Sequence, residues 1–308
     1  MPAVDLDPAL AAVIRALPGG DGEIEAVEAL TLGITNRNFR VDVGGNTYVV
    51  RLSGRDTELL GIDREAEHLA ATAAAAAGVA PEVVAYLPEQ NALVTRFVVA
   101  EPLEPERLEE DAILTAVVTA VRAIHAMPPI ASSFDVSRVV RDYREIASTR
   151  RIAIPGEYDD TLRIADAIAA VLPAGSSEPR PCHNDLLNAN LLLRGEQVII
   201  VDYEYAGMGD VFFDLGNFSI NNGISEDAQT RLLEQYFGRT TPANLARLQL
   251  FRILSDFREA MWGVVQQAIS TLDVDYVDYA SRHFARCLQS AGDARFGAWL
   301  EDAPGEVA

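Results

Sequence analysis

The chain contains no lysine. All 25 of its basic residues are arginine, set against 46 acidic ones. Any ion pair that elsewhere uses an ammonium group must here use a guanidinium, which is planar and suited to bidentate contact with carboxylate or phosphate. The net charge of −21 works against binding nucleic acid or an anionic membrane surface. It suits a cationic small molecule, or serves solubility alone. Cysteine is scarce: Cys182 and Cys287 are the two, in no metal-ligand spacing, which predicts free thiols and a cytoplasmic protein. No apolar run approaches the roughly 18 residues that would span a bilayer, so no membrane insertion is expected. The alanine-rich stretch from Ala70 to Ala77 is short and lies beside charged residues. Met1 to Asp5 lack a basic start followed by an apolar stretch, so no secretion signal is expected.

What is present is enough for a sizeable core: 308 residues, 49% of them hydrophobic, in one large domain or two packed lobes. Residues 6–16 read as a helix. Residues 23–32, 39–43 and 47–52 read as strands, the last two joined by Gly44-Gly45-Asn46, a hairpin signal. Residues 63–77 read as a helix stopped by Gly78, and 82–86 and 92–98 as two more strands. After Ala100 the pattern turns helical: 108–126, 135–150, 158–172, 225–237, 242–270, 274–290 and 294–301. A hairpin at 190–194 and 197–202 interrupts it, over Gly195-Glu196. The fold class expected is α+β: a bilobal arrangement with a small five-stranded sheet and one intervening helix at 1–99, and a mainly helical lobe at 100–308 that carries the hairpin.

The hairpin holds the chemistry. Asp185 stands five residues before Asn190, and Asp202 follows the apolar run Val198-Ile199-Ile200-Val201. Phosphoryl transfer needs a carboxylate to accept the proton of the attacking hydroxyl. It also needs an amide oxygen and a second carboxylate to hold the Mg²⁺ that bridges the phosphates. A hairpin register brings Asn190 and Asp202 to one end. Protein kinases follow the same logic, with Asn five residues after the Asp and a later Asp-Phe-Gly. Here Tyr203-Glu204 follows Asp202, so the chain is not an ordinary protein kinase. His183 reads as a buried brace rather than a chemical group.

Upstream, Gly33-Ile34-Thr35-Asn36-Arg37-Asn38 sits between two strands, where Gly33 and the polar side chains can face phosphate oxygens. Arg51 lies in the third strand, where protein kinases place a phosphate-binding lysine. Glu65 and Glu67 on the following helix are the candidates to pair with it.

These residues resemble the choline/ethanolamine kinase family, within the larger aminoglycoside-phosphotransferase-like group and its protein-kinase-like fold. The likeness rests on Gly33 to Phe39, Arg51, Ile62-Asp63-Arg64-Glu65-Ala66-Glu67, His183-Asn184-Asp185-Leu186 and Val201-Asp202-Tyr203-Glu204-Tyr205. Phe213-Asp214-Leu215-Gly216-Asn217, Trp262-Gly263-Val264-Val265-Gln266 and Tyr276-Val277-Asp278-Tyr279-Ala280 extend it. It implies transfer of the ATP γ-phosphate to the hydroxyl of an amino alcohol. Asp185 would be the base, Asn190 and Asp202 the Mg²⁺ ligands, and Glu67 the partner of Arg51. Gly33, Thr35, Asn36 and Asn38 would face the nucleotide phosphates. The connector around Phe97 and Val99 is the expected place of the adenine. Glu204, Tyr205 and Trp262 would line the acceptor pocket, where aromatic faces suit a quaternary ammonium. Eukaryotic choline kinases carry another tryptophan where this chain has Glu259. That glutamate either pairs with the cationic acceptor or sits exposed beside Arg258. Choline and ethanolamine both stay open, and the residues are compatible with a homodimer. Two other readings compete: a kinase of another small alcohol such as an aminoglycoside, thiamine or an amino sugar, and a nucleotide-binding protein without catalysis.

Overall fold

A computed structural model describes residues 7–30, 36–172, 177–270 and 272–307. Asp7 starts helix α1 (Pro8–Ala16) by accepting the Ala9 amide, and Pro8 fills the first turn, where a missing N–H costs nothing. Strands β1 (Ile24–Leu30), β2 (Arg37–Val43) and β3 (Asn46–Leu52) form an antiparallel meander. Gly44 and Gly45, at φ +57° and +70°, make the tight β2–β3 turn. Helix α2 (Arg64–Ala76) is capped by Asp63, which accepts the Glu65 and Ala66 amides. Strands β4 (Val83–Leu87) and β5 (Ala92–Arg96) complete a five-stranded sheet in the order β1-β2-β3-β5-β4.

The chain then passes through a short strand, β6 (Glu101–Pro102), into helices α3 (Asp111–His125), α4 (Val136–Thr149) and α5 (Tyr158–Val171). Next come β7 (Arg180–Cys182), the hairpin β8 (Leu191–Arg194) and β9 (Gln197–Ile200), and β10 (Gly207–Gly209), which pairs back onto β7. Helices α6 (Val211–Asn221), α7 (Glu226–Phe237), α8 (Pro242–Ile269), α9 (Tyr276–Ala291) and α10 (Phe296–Asp302) follow. The lobe order is the α+β layout read from the sequence. The differences are local. Residues 108–110 precede α3 instead of belonging to it, because Pro105–Arg107 forms a separate 3-10 turn. Asn190 closes a 3-10 turn before β8, and Asp202 lies beyond β9 with φ +68°. Helix α6 and the β7–β10 pair have no counterpart in the sequence reading. Among the described residues no helix is long and apolar enough to cross a membrane.

Among the described residues, two buried apolar clusters hold the molecule together. The smaller packs Leu10, Val13 and Ile14 of α1 against Val41, Tyr48, Val50 and Val94 of the sheet. The alternation Tyr48, Val50, Leu52 thus faces α1 and turns Arg51 to the other side. The larger cluster fills the helical lobe, and α2 contributes Ala70, Ala71 and Ala74 to it. Helix α2 therefore ties the sheet lobe to the helical one. Helix α8 runs through the middle of the larger cluster, against α4, α6 and α9. It crosses α6 closely at Gly216, where an added Cβ would stand 2.8 Å from the Phe251 carbonyl carbon. Gly216→Ala should lower stability by about 1–3 kcal/mol, since backbone cannot give way as a flexible side chain can. A denaturant titration reads this; an unchanged or raised midpoint would show that the helices separate freely.

Candidate active site

The loop from His183 to Asn190 joins β7 to β8, and α6 grips it. Asp214, fully buried, accepts the amides of His183 at 2.8 Å and Asn184 at 2.6 Å. Asn217, one turn on, accepts the Leu186 amide at 2.6 Å. The loop needs such a grip because Asn184 is held at φ +65°, a left-handed conformation. Burial alone would raise the Asp214 pKa. The His125 imidazole at 2.9 Å and the loop amides hold it below the usual carboxylate value. His183 is itself fully buried, with Nε2 on the Val201 carbonyl at 3.0 Å and Nδ1 accepting the Asp185 amide at 3.2 Å. Burial pushes its pKa down. A neutral ring satisfying backbone groups on both sides is a brace.

Asp185 is thereby presented between two fixed amides. Its Oδ2 accepts from Asn190 Nδ2 at 3.2 Å, and the same nitrogen donates to the Asp185 carbonyl at 2.9 Å. The Val201 amide bonds the Asn190 carbonyl at 3.0 Å, so the hairpin carries Asp202 up beside Asn190. Across from them, Arg51 of β3 reaches Asp202 Oδ1 at 2.7 Å and forms an ion pair with Glu67 of α2. Arg64 joins Glu67 at 2.9 Å to Glu204 at 3.1 Å, and Asn36 donates to the same Glu204 oxygen at 2.9 Å. One charge network therefore runs from the sheet through α2 to the hairpin. It carries excess negative charge in a largely buried place, although 30% of the Asp202 side chain stays exposed. Burial first, then neighbouring carboxylates, raise Asp185 to about 7, Asp202 to about 6 and Glu204 to about 7, while the arginines oppose the shift.

An aromatic group stands next to Arg258, whose guanidinium is 3.5 Å from Asp185 and 4.1 Å over the Tyr205 ring. Trp262 Nε1 donates to the Tyr205 hydroxyl at 2.8 Å, and the Trp262 and Tyr279 ring centroids are 5.4 Å apart. Glu259 is buried, 2% exposed, which corrects the exposed alternative. It accepts from Arg258 at 2.5 Å and from the Tyr279 hydroxyl at 2.8 Å. Helix α8 is buried nearly all round at this level, so a charged residue there has no route to solvent.

The sequence profile of the phosphotransferase enzyme family matches residues 26–251. The chain belongs to this family. A choline/ethanolamine kinase family protein from Mesorhizobium loti is 30% identical, with a TM-score of 0.83 over 96% of this chain and 98% of that one. Mouse ethanolamine kinase 1 is 25% identical across 90% of this chain and 87% of its own. The choline kinase LicA of Streptococcus pneumoniae, 19% identical, shares the fold with a TM-score of 0.78 over 91% of this chain and 98% of that one.

In this phosphotransferase the structure brings Asn36, Arg51, Glu67, Asp185, Asn190, Asp202 and Glu204 into one cleft. Tyr205, Glu259 and Trp262 adjoin it on the helical side. Gly33 and Thr35 lie outside the described residues. Asn38 sits on β2 opposite Arg51. Phe97 and Val99 are in the connector between lobes. The Phe97 amide bonds the Thr47 carbonyl at 3.0 Å, the Arg40 guanidinium stands 4.9 Å from the Phe97 ring centre, and Val99 is 84% exposed. Sequence reasoning gave no role to Arg64, Asp214, Arg258 or Tyr279. Arg258 had a legible signal: it lies four residues before Trp262, on the same face of a helix otherwise rich in apolar residues.

Proposed function

We propose that this phosphotransferase moves the γ-phosphate of ATP onto the hydroxyl of an amino alcohol, ethanolamine or choline. The observation that carries the reading is that Asp185 neighbours two unlike groups: Asn190, on the hairpin that brings Asp202 to Arg51, and Arg258, 3.5 Å away, whose guanidinium lies 4.1 Å over the Tyr205 ring that Trp262 bonds. With a divalent cation on its surplus carboxylates the first would suit a nucleoside triphosphate, and the second an ammonium head. Relatives named as ethanolamine and choline kinases support the same acceptor class.

In the proposed step the acceptor's hydroxyl oxygen attacks the γ-phosphorus and its proton passes to the Asp185 carboxylate. The bond from the γ-phosphorus to the bridging oxygen breaks, and its electron pair leaves on ADP. Arg51, held by Glu67, would face the phosphates, as would Gly33, Thr35, Asn36 and Asn38. Phe97 and Val99 would border the adenine. Residues 1–99 would form the nucleotide-binding lobe and 100–308 the catalytic one. Magnesium fits the residues present. Asn190 Oδ1 and Asp202 Oδ2 are hard oxygen atoms with no hydrogen bond among the described residues, and the surrounding carboxylates supply surplus negative charge. When bound it would neutralise charge on the phosphates.

A coupled ADP-release assay with ethanolamine, choline, thiamine and an aminoglycoside tests the acceptor. Turnover with ethanolamine or choline is the expected result. Turnover of only thiamine or the aminoglycoside would remove the amino-alcohol reading. Trp262→Ala should raise the Michaelis constant for the amino alcohol several-fold more than that for ATP, given about 0.5–2 kcal/mol per cation–aromatic contact. Equal changes in both constants would assign Trp262 to the core.

A further inference from the structure

Arg258 carries a charged guanidinium at 1% exposure, in a position the transfer step does not call upon. Burying a cation is costly without partners, so its surroundings must account for it. They form a line. The Tyr279 hydroxyl donates to Glu259 Oε2 at 2.8 Å. Glu259 Oε1 accepts from Arg258 Nη1 at 2.5 Å. The same Nη1 stands 3.5 Å from Asp185 Oδ1. The guanidinium also lies 4.1 Å over the Tyr205 ring, which fixes its plane. Asp185 is thus approached from two sides, by Asn190 at Oδ2 and by Arg258 at Oδ1.

Both Glu259 oxygens are already engaged, one by Arg258 and one by Tyr279. The glutamate therefore has little left to offer an acceptor ammonium directly. Its neighbour Arg258 is what stands between it and the base. We propose that Arg258 and Glu259 are positioning residues for Asp185: Tyr279 holds Glu259, Glu259 aims Arg258, and Arg258 sets the carboxylate toward the acceptor hydroxyl. The inference rests on the reading of Asp185 as the base and is independent of which alcohol is phosphorylated.

The test is a set of steady-state measurements on the full chain with whichever alcohol the panel assay identifies. Arg258→Met should lower kcat about 10- to 100-fold, the scale of a misaligned reacting group, with both Michaelis constants within about threefold. Arg258→Lys, which keeps the charge, should recover at least a third of the lost turnover on a logarithmic scale. Tyr279→Phe should lower kcat about threefold alone and add nothing in the Arg258→Met background, because residues acting through one another are not additive. Glu259→Gln raising the acceptor's Michaelis constant about tenfold at unchanged kcat would overturn the proposal and make Glu259 an acceptor ligand. A lowered melting temperature with kcat unchanged would overturn it too, leaving a merely structural role. If Arg258→Met does not fold, the same cycle is run with Arg258→Lys and Tyr279→Phe. If no alcohol is turned over, the slow hydrolysis of ATP is measured. The Arg258 variants should depress it, and an unchanged rate would count against the relay. Failure of the amino-alcohol reading would appear in the panel alone, and failure of Asp185 as base would appear as turnover retained by Asp185→Ala.

Discussion

Asp185→Ala should lower turnover about 10²- to 10⁴-fold, the range expected when a general base is removed, while nucleotide binding stays close to that of the parent protein. The separation follows from the two sides of the cleft. Arg51, Glu67, Arg64 and Asp202 form their own network and reach one another without Asp185. Asp185 leans instead on Asn190 and Arg258. Asp185→Asn is the companion variant, since it keeps the shape of the side chain and removes only the proton acceptor. Calorimetric titration with ADP in the presence of magnesium, beside the ADP-release assay, checks both halves. Turnover within tenfold of the parent in either variant would remove Asp185 as base. Loss of nucleotide binding in both would show that the carboxylate belongs to the phosphate side.

The second large effect is expected at a residue that touches neither substrate. Asp214 accepts two consecutive loop amides and the His125 imidazole, deep in the helical lobe. Asp214→Asn keeps the volume but turns one acceptor into a donor, which then faces another donor with no water to relieve it. Leaving such a group unsatisfied costs about 1–3 kcal/mol. The loop backbone must shift to relieve it, and a displacement near 1 Å at the reacting group costs about 100-fold in rate. Activity should therefore fall about 100-fold and the melting temperature should drop with it. Thermal unfolding and the same coupled assay measure this. Full activity at a lowered melting temperature would mean that α6 supports the fold without setting the loop.

Much of this protein is legible along the chain. The hairpin is local: Gly195-Glu196 turns it, and the apolar run Val198 to Val201 buries one strand. Asn190 and Asp202 therefore converge by local spacing, while Asp185 is set by the grip of α6 on its loop. Arg51 is legible because strand alternation sends Tyr48 and Val50 to α1 and the arginine to the opposite face. Helix α6 was not legible. Its run Val-Phe-Phe-Asp-Leu-Gly-Asn-Phe-Ser-Ile-Asn is poor in strong helix formers and buried on most sides, so it shows neither propensity nor an amphipathic period. Packing against α8 makes it a helix.

The absence of lysine set one further condition. The cations that meet Glu67 had to be arginines, and they are Arg51, which also reaches Asp202, and Arg64. Spacing and composition by themselves thus determined the lobe order, the hairpin and the identity of the groups in the cleft, because each depends on residues close in sequence or on residue type. The fate of Glu259 was decided only in three dimensions. On a bare helix it reads equally as a solvated charge or an acceptor ligand. Its burial, and its capture by Arg258 and Tyr279, depend on α8 lying between α4, α6 and α9, on contacts between segments far apart in the chain. No local pattern encodes that environment, and the same environment turns Arg258 toward the base.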